Sequence, residues 1–426
     1  MKIISVIGRH LAMLALTGAM SWSPSLSAEQ HPRQPDTAPL ATGFDLQVPW
    51  QPSPARIGQA WQLAYELHLT NFASATLRLR RLTIVAADTG EVLRRYDEHD
   101  SLPALSSILG RADLPRGQGD VLTIPPGIRT VVYINLPIAS PPPAGIRLTH
   151  RLEAEETEGE HRAIRVEGGS ISLSSWPSPV VLAPPLRGGY WAAIYDASWP
   201  RGHRRTLYAV AGAVHIPGRF AVDWIKVDPA GRYTTGDATV ATHWMGYGED
   251  VLAGADATVA AAVDGMPEPD KVDPGKPTHV PLQDATGNYV SLDLGHGQYV
   301  FYEHLQTGSI AVKTGQKVRR GDVIGRLGYS GETTGPHLHM HVADRNDPLN
   351  AEGLPFVLDR FGWFGAYDSI ERFAQEKPWR PSAIGVKQEA LLPRPLSVVT
   401  FEPPYVFFKE NKHQIEQRAN RARSQD

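Results

Sequence analysis

Cysteine is absent from all 426 residues, which excludes disulfide frameworks, thiolate metal sites, a cysteine nucleophile and a lipid anchor on an N-terminal cysteine. Any metal must therefore rest on His, Asp or Glu. Neither sign of charge dominates, since 42 Lys and Arg stand against 45 Asp and Glu for a formal −3, and nothing in this balance points to nucleic acid as a partner. No apolar run reaches the ~20 residues of a membrane-spanning helix. The helical zinc motif His-Glu-x-x-His is also missing. What the chain has in quantity is turn chemistry: 39 Gly and 36 Pro imply many short elements, the habit of β-rich domains.

The first 28 residues have the layout of an export signal. Lys2 and Arg9 give a basic start, His10 to Met20 a short apolar core, and Ser25-Leu-Ser-Ala28 a small-residue cleavage end. The expected location is periplasmic or secreted, with no stable membrane insertion once the signal is removed. Residues 29–47 are polar and Pro-punctuated and are expected to be a linker. Between 48 and 175, alternating runs such as Trp61–Thr70, Ala75–Val85, Arg129–Leu136 and Gly145–Leu152 predict an immunoglobulin-like β-sandwich. A Pro-rich connection follows at 176–187, then a second β domain at 188–355 and a C-terminal extension at 356–426. The fold class expected is all-β.

Nine of the sixteen histidines lie between His203 and His341, most densely in Gly335-Pro-His-Leu-His-Met-His-Val342. On a strand, alternate residues share a face, so His337, His339 and His341 point one way and Leu338, Met340 and Val342 the other. Imidazoles lined up on an apolar backing suit metal coordination or proton transfer. Upstream, Asn288–Leu294 and Gln298–Leu305 form a hairpin about Gly295-His-Gly297, with His304 in phase with Val300 and Tyr302 on the inward face. His243, His279 and His296 fall in predicted loops, where solvent exposure is expected. The Pro-rich insert 264–286 is expected to line a groove.

Tyr302-Glu-His-Leu305, Val312-Lys-Thr-Gly-Gln-Lys-Val318, Gly321-Asp-Val-Ile-Gly325 and Ser330-Gly-Glu-Thr-Thr-Gly-Pro-His-Leu-His339 together resemble the lysostaphin/LytM-type zinc endopeptidases of peptidoglycan. The resemblance covers roughly 202–348. It implies a β-sandwich of the duplicated hybrid-motif type with a groove, Zn2+ as cofactor, and peptide crosslinks of bacterial peptidoglycan as substrate. It further implies that Asp223 and His339 are metal ligands, His337 the general base, and His304 the second catalytic histidine. His341 has no family role and is expected beside the site or in the groove wall. The family's first motif, His-x-x-x-Asp, is altered: Arg219 stands four residues before Asp223, so the third ligand must be His203 or His215. Relatives with Gly-His-Arg-Arg ahead of Arg-Phe-Ala-Ile-Asp-Trp rank His203 first. The alteration also leaves an alternative, a non-catalytic module of this fold that binds wall or regulates a partner hydrolase. Oligomeric state and the bond cut are not indicated.

Overall fold

A computed structural model describes residues 43–108, 120–138, 145–173, 179–199, 202–274 and 276–401. The export-signal reading at 1–28 lies outside these residues, as does the charged tail from 402. Two five-stranded antiparallel sheets form the N-terminal part. One contains Phe44–Gln47, Pro54–Ile57, Ala60–Asn71, Ser106–Ile108 and Arg129–Ile138; the other contains Leu77–Ala86, Val92–Asp97, Thr123–Ile124, Ile146–Glu156 and Ala163–Leu173. Alternating apolar residues from both sheets, among them Leu63, Leu67, Leu79, Leu82, Ile134 and Leu152, close one core between them. The end of the expected linker departs from its reading. Phe44–Gln47 pairs with Ala60–Asn71, because Phe44 and Leu46 alternate into that core.

The second β region is a twelve-stranded sheet with its densest packing at the centre, where Tyr190–Ile194, Val222–Val227, Leu338–Ala343, Tyr299–Leu305 and Asn288–Asp293 lie side by side. Leu338, Met340 and Val342 join Val222, Trp224, Val300 and Tyr302 in its core, as the alternation at 337–342 predicts. A two-stranded ribbon, Asp250–Leu252 with Val323–Arg326, adds Val251 and Ile324 to the same core from a second layer.

The described parts of the connection, 179–187, and of the extension, 356–401, belong to this sheet region. Val180–Leu182 runs parallel to Phe356–Leu358. Ser397–Thr400 pairs with both Phe356–Ala366 and Tyr190–Ile194. Phe356, Leu358, Phe361 and Val399 carry enough apolar surface to be drawn into the core, so the described part of the extension is structural. Among the described residues, no helix is long and apolar enough to cross a membrane.

Candidate metal centre

Three central strands place the decisive side chains in one row. In the ladder, Asp223 pairs with His339, and His339 pairs in turn with Glu303. All three therefore project to the same side of the sheet, opposite the Leu338–Met340–Val342 core. Asp223 Oδ1 lies 2.9 Å from His339 Nδ1. Its other oxygen, Oδ2, lies 2.8 Å from Nε2 of His203, which arrives on the short 3-10 turn His203–Arg205. A second turn, Pro217–Phe220, packs against the first at Gly218, where a Cβ would stand 2.8 Å from the Cβ of His203. The absence of a side chain at 218 thus lets the turn bearing His203 settle over the strand bearing Asp223.

His304 reaches the same side through a break in strand periodicity. Its φ is +61°, and the ladder to Asn288–Asp293 shifts register there, so that Glu303 and His304 together oppose a single residue. Strict alternation would have sent His304 into the core beside Val300 and Tyr302. The bulge instead turns its ring to within 4.9 Å of the His337 ring and 5.9 Å of the His339 ring.

Both rings are oriented from behind. His304 Nδ1 lies 2.8 Å from the Ser330 carbonyl oxygen, and His337 Nδ1 lies 2.8 Å from that of Gly335 and 3.1 Å from Thr333 Oγ1. A carbonyl only accepts, so each Nδ1 carries a hydrogen when the ring is neutral, and each Nε2 presents a lone pair.

Among the described residues, three overlapping triads of metal-capable groups share His339: His203 with Asp223, His304 with His337, and Glu303 with His341. Their electrostatics differ. Burial opposes charge on Asp223, but His203 and His337 hold its carboxyl well below the usual range, so it is ionised. Glu303 is pushed well above the ordinary range by burial and by the neighbouring Asp223 charge. His339 is lowered to about 4 by burial and by His203, and His304 falls well below its usual value through burial and its histidine neighbours. Both are therefore neutral at pH 7. Of the three, only the His203–Asp223–His339 triad joins two imidazoles to a formed carboxylate, the donor set that zinc takes in open, four-coordinate sites. The residues present fit a divalent cation.

This triad lines a cavity of about 660 Å³, together with Tyr195, Trp199, Tyr208, Thr286, His304 and His337. The insert 264–286 contributes Pro277, Ala285 and Thr286 to its wall, as expected. Residues 244–351 match the model of Peptidase family M23. That match spans 108 of the 426 residues. A 65-residue stretch is 46 % identical to Peptidoglycan DD-endopeptidase ShyA of Vibrio cholerae serotype O1, and that match spans 15 % of either chain. A 68-residue stretch is 38 % identical to an uncharacterized metalloprotease of Buchnera aphidicola, spanning 16 % of this chain and 18 % of that protein. The chain thus matches under a fifth of the length of these relatives.

Among solved structures, the catalytic domain of lysostaphin from Staphylococcus simulans is 19 % identical over 39 % of this chain and 88 % of its own, with a TM-score of 0.21. A zinc containing peptidase from Vibrio cholerae is 15 % identical over 68 % of this chain and 81 % of its own, with a TM-score of 0.23. Scores this low carry no weight, and the architecture rests on the strand pairing described above.

The matched stretch contains His304, His337 and His339, whereas His203 and Asp223 precede it. Of the two histidines expected to compete for the third ligand position, the fold brings His203 to Asp223 and His339 and keeps His215 away. His215 is buried on the hairpin that turns at Ala211 and Gly212, with Nδ1 3.1 Å from Glu352 Oε1. His215 thus lies outside the triad, with its ring engaged by the Glu352 carboxylate. His341 lies beside the site, stacked on Phe301 with ring centroids 4.8 Å apart and with Nδ1 3.7 Å from Glu303 Oε1.

Sequence reasoning missed Glu303, Ser330 and Thr333. A carboxylate embedded in the apolar run Tyr299–Leu305 was the available signal for Glu303. The carbonyl of Ser330 has none, because any residue supplies one.

Proposed function

We propose that this protein is an exported zinc metalloendopeptidase that hydrolyses peptide crosslinks of bacterial peptidoglycan. The observation that carries this reading is the convergence of His203, Asp223 and His339 in a groove that also holds the back-anchored pair His304 and His337. Zinc held by that triad would supply Lewis acidity, polarising a scissile carbonyl and lowering the pKa of water toward ~7.

The remaining work falls to side chains of this chain. His337 is raised in pKa, since the Asp223 carboxylate, 3.4 Å from its Nε2, outweighs burial, and we assign to this nitrogen the proton of the attacking water. His304, neutral and fixed through Ser330, offers its Nε2 side to water or to the developing oxyanion. Peptidoglycan as the substrate class is supported by the likeness of a 65-residue stretch to peptidoglycan DD-endopeptidases, and export by the layout of residues 1–28.

The test is metal analysis of dialysed protein together with digestion of purified sacculi and mass spectrometry of released muropeptides. One zinc per chain and cleaved stem-peptide crosslinks are expected, both lost in His339→Ala. A folded wild-type chain that holds no zinc would overturn this reading in favour of a non-catalytic wall-binding or regulatory module.

A further inference from the structure

The Ala60–Asn71 strand alternates Leu63, Tyr65, Leu67 and Leu69 toward the sandwich core, so Glu66 faces outward. In a free-standing sandwich that face would meet water. Here Glu66 is 3 % exposed, because the turn bearing His203 lies against it. Glu66 Oε1 accepts from Arg204 Nε at 2.7 Å, and Oε2 accepts from Arg219 Nε at 2.8 Å. Arg204 is the neighbour of His203, and Arg219 sits in the turn that leads directly into the Asp223 strand. One carboxylate of the N-terminal sandwich therefore clamps both segments that carry the outer metal donors.

The clamp is extended at each end. Arg204 also donates to Asn135 Oδ1 at 2.6 Å and to the carbonyls of Tyr65 and Ile134 at 2.9 and 2.8 Å, all on the same sheet of the sandwich. Arg205 lies over the Tyr133 ring, 4.2 Å from its centroid, and donates to the Ala104 carbonyl at 2.8 Å. Arg219 reaches Glu352 Oε2 at 2.7 Å and the Gly353 carbonyl at 3.0 Å. Burial opposes the charge on Glu66, yet Arg219 and Arg204 hold its pKa below the ordinary value. Ion pairs this deeply buried return little net stability once desolvation is counted, whereas a carboxylate whose two oxygens each accept from a different guanidinium fixes the position of both. Among the described residues, none of the sandwich lines the groove. Its contacts are made behind the metal donors.

We propose that Glu66 is a positioning residue of the metal centre, lent by the N-terminal sandwich, which sets the separation of His203 and Asp223 through Arg204 and Arg219. The sandwich is then a working half of the site. This rests on the reading of His203, Asp223 and His339 as zinc ligands and specifies what holds two of them in register.

The test uses the full chain and reads zinc affinity by competition with a chromogenic chelator, alongside the thermal midpoint of the metal-free protein. Glu66→Gln keeps an acceptor but removes the charge, and is expected to weaken zinc binding about 10- to 100-fold, as loss of an outer-shell partner does. Its activity should return at saturating zinc. Ile84→Val, in the sandwich core away from the clamp, should lower the thermal midpoint with no change in zinc affinity. If Glu66→Gln does not fold, Asn135→Ala decides: it removes one Arg204 contact and no charge, and about a threefold or greater weakening is expected. Unchanged zinc affinity in the folded variants, beside a wild-type chain that binds zinc, overturns this proposal alone. A wild-type chain that binds no zinc overturns the metallopeptidase reading and this proposal with it.

Discussion

Gly335 offers a test of the catalytic half of the site that leaves the metal donors in place. Its carbonyl oxygen receives both His337 Nδ1 and Thr333 Oγ1, each at 2.8 Å. A Cβ at this position would lie 2.7 Å from Cζ2 of Trp244 and closer still to Cη2. Trp244 has nowhere to go: its ring stacks on Tyr233 with centroids 4.8 Å apart, and its Nε1 donates to the Ala238 carbonyl at 2.9 Å. Carbon atoms pack at ~3.5 Å or more, so in Gly335→Ala the backbone of residue 335 must yield by about 1 Å.

That displacement carries the acceptor of His337 with it. Overpacking of this kind costs ~1–3 kcal/mol of stability, and a misplacement of about 1 Å at a reacting group costs on the order of 10²-fold in rate. Zinc content should hold, because Asp223 and Glu303 lock His339 into the ladder from both sides. The assay is turnover on dye-labelled sacculi with zinc measured on the same sample. A variant that keeps its zinc and turns over within about twofold of wild type would show that His337 is not oriented from Gly335, and the role given to its Nε2 would fall.

Two further outcomes follow from the same geometry. His203→Ala should abolish stoichiometric zinc, whereas His215→Gln should retain it and lose only part of the stability that comes from facing Glu352; metal analysis of both variants separates them, and equal zinc loss would contradict the placement of His203. In the sandwich, burial lowers His150 to about 4, with its ring between Tyr65 Oη at 2.9 Å and the Gly169 carbonyl at 3.0 Å. The unfolded chain binds a proton near pH 6.5 that the folded chain refuses until about pH 4. Stability from this residue is thus complete above pH 6.5 and declines as the pH falls to 4, by up to ~3 kcal/mol at ~1.4 kcal/mol per decade. His150→Gln should flatten the fall in thermal midpoint across that window; an unchanged pH slope would refute the assignment.

How legible this was in the sequence depends on the range of the interaction. The imidazole face at 337–341 follows from period-2 alternation alone, and its apolar backing of Leu338, Met340 and Val342 is where that pattern puts it. His304 was identified from its motif but given the wrong phase, because a bulge is a property of two paired strands and leaves no mark on either one read alone. The extension from 356 read as a separate piece because an aromatic, Pro-rich strand resembles a linker until its partner is known. Here the partners are Tyr190–Ile194 and Val180–Leu182, more than 150 residues upstream. Glu66 was the least visible of all. A lone acid on the polar face of a sandwich strand is ordinary in composition, and its importance comes entirely from what packs against it.

Arg219 draws these strands of reasoning together. Set against a His-x-x-x-Asp pattern, an arginine four residues before the acid looks like the loss of a ligand. In the fold it marks a division of labour. The arginine's reach lets one side chain touch both Glu66 in the sandwich and Glu352 beyond the histidine strand, which an imidazole at the same position is too short to do. The imidazole comes instead from His203, on a turn that Gly218 lets close to within contact and that Arg204 ties to the same Glu66. A histidine at 219 would duplicate a donor already supplied and leave two buried carboxylates short of a cation, a cost of several kcal/mol. Under the proposed reading the altered motif leaves the metal centre complete, with its first ligand at His203, 16 residues before Arg219, and Arg219 serves instead as an ionic anchor between the two halves of the molecule.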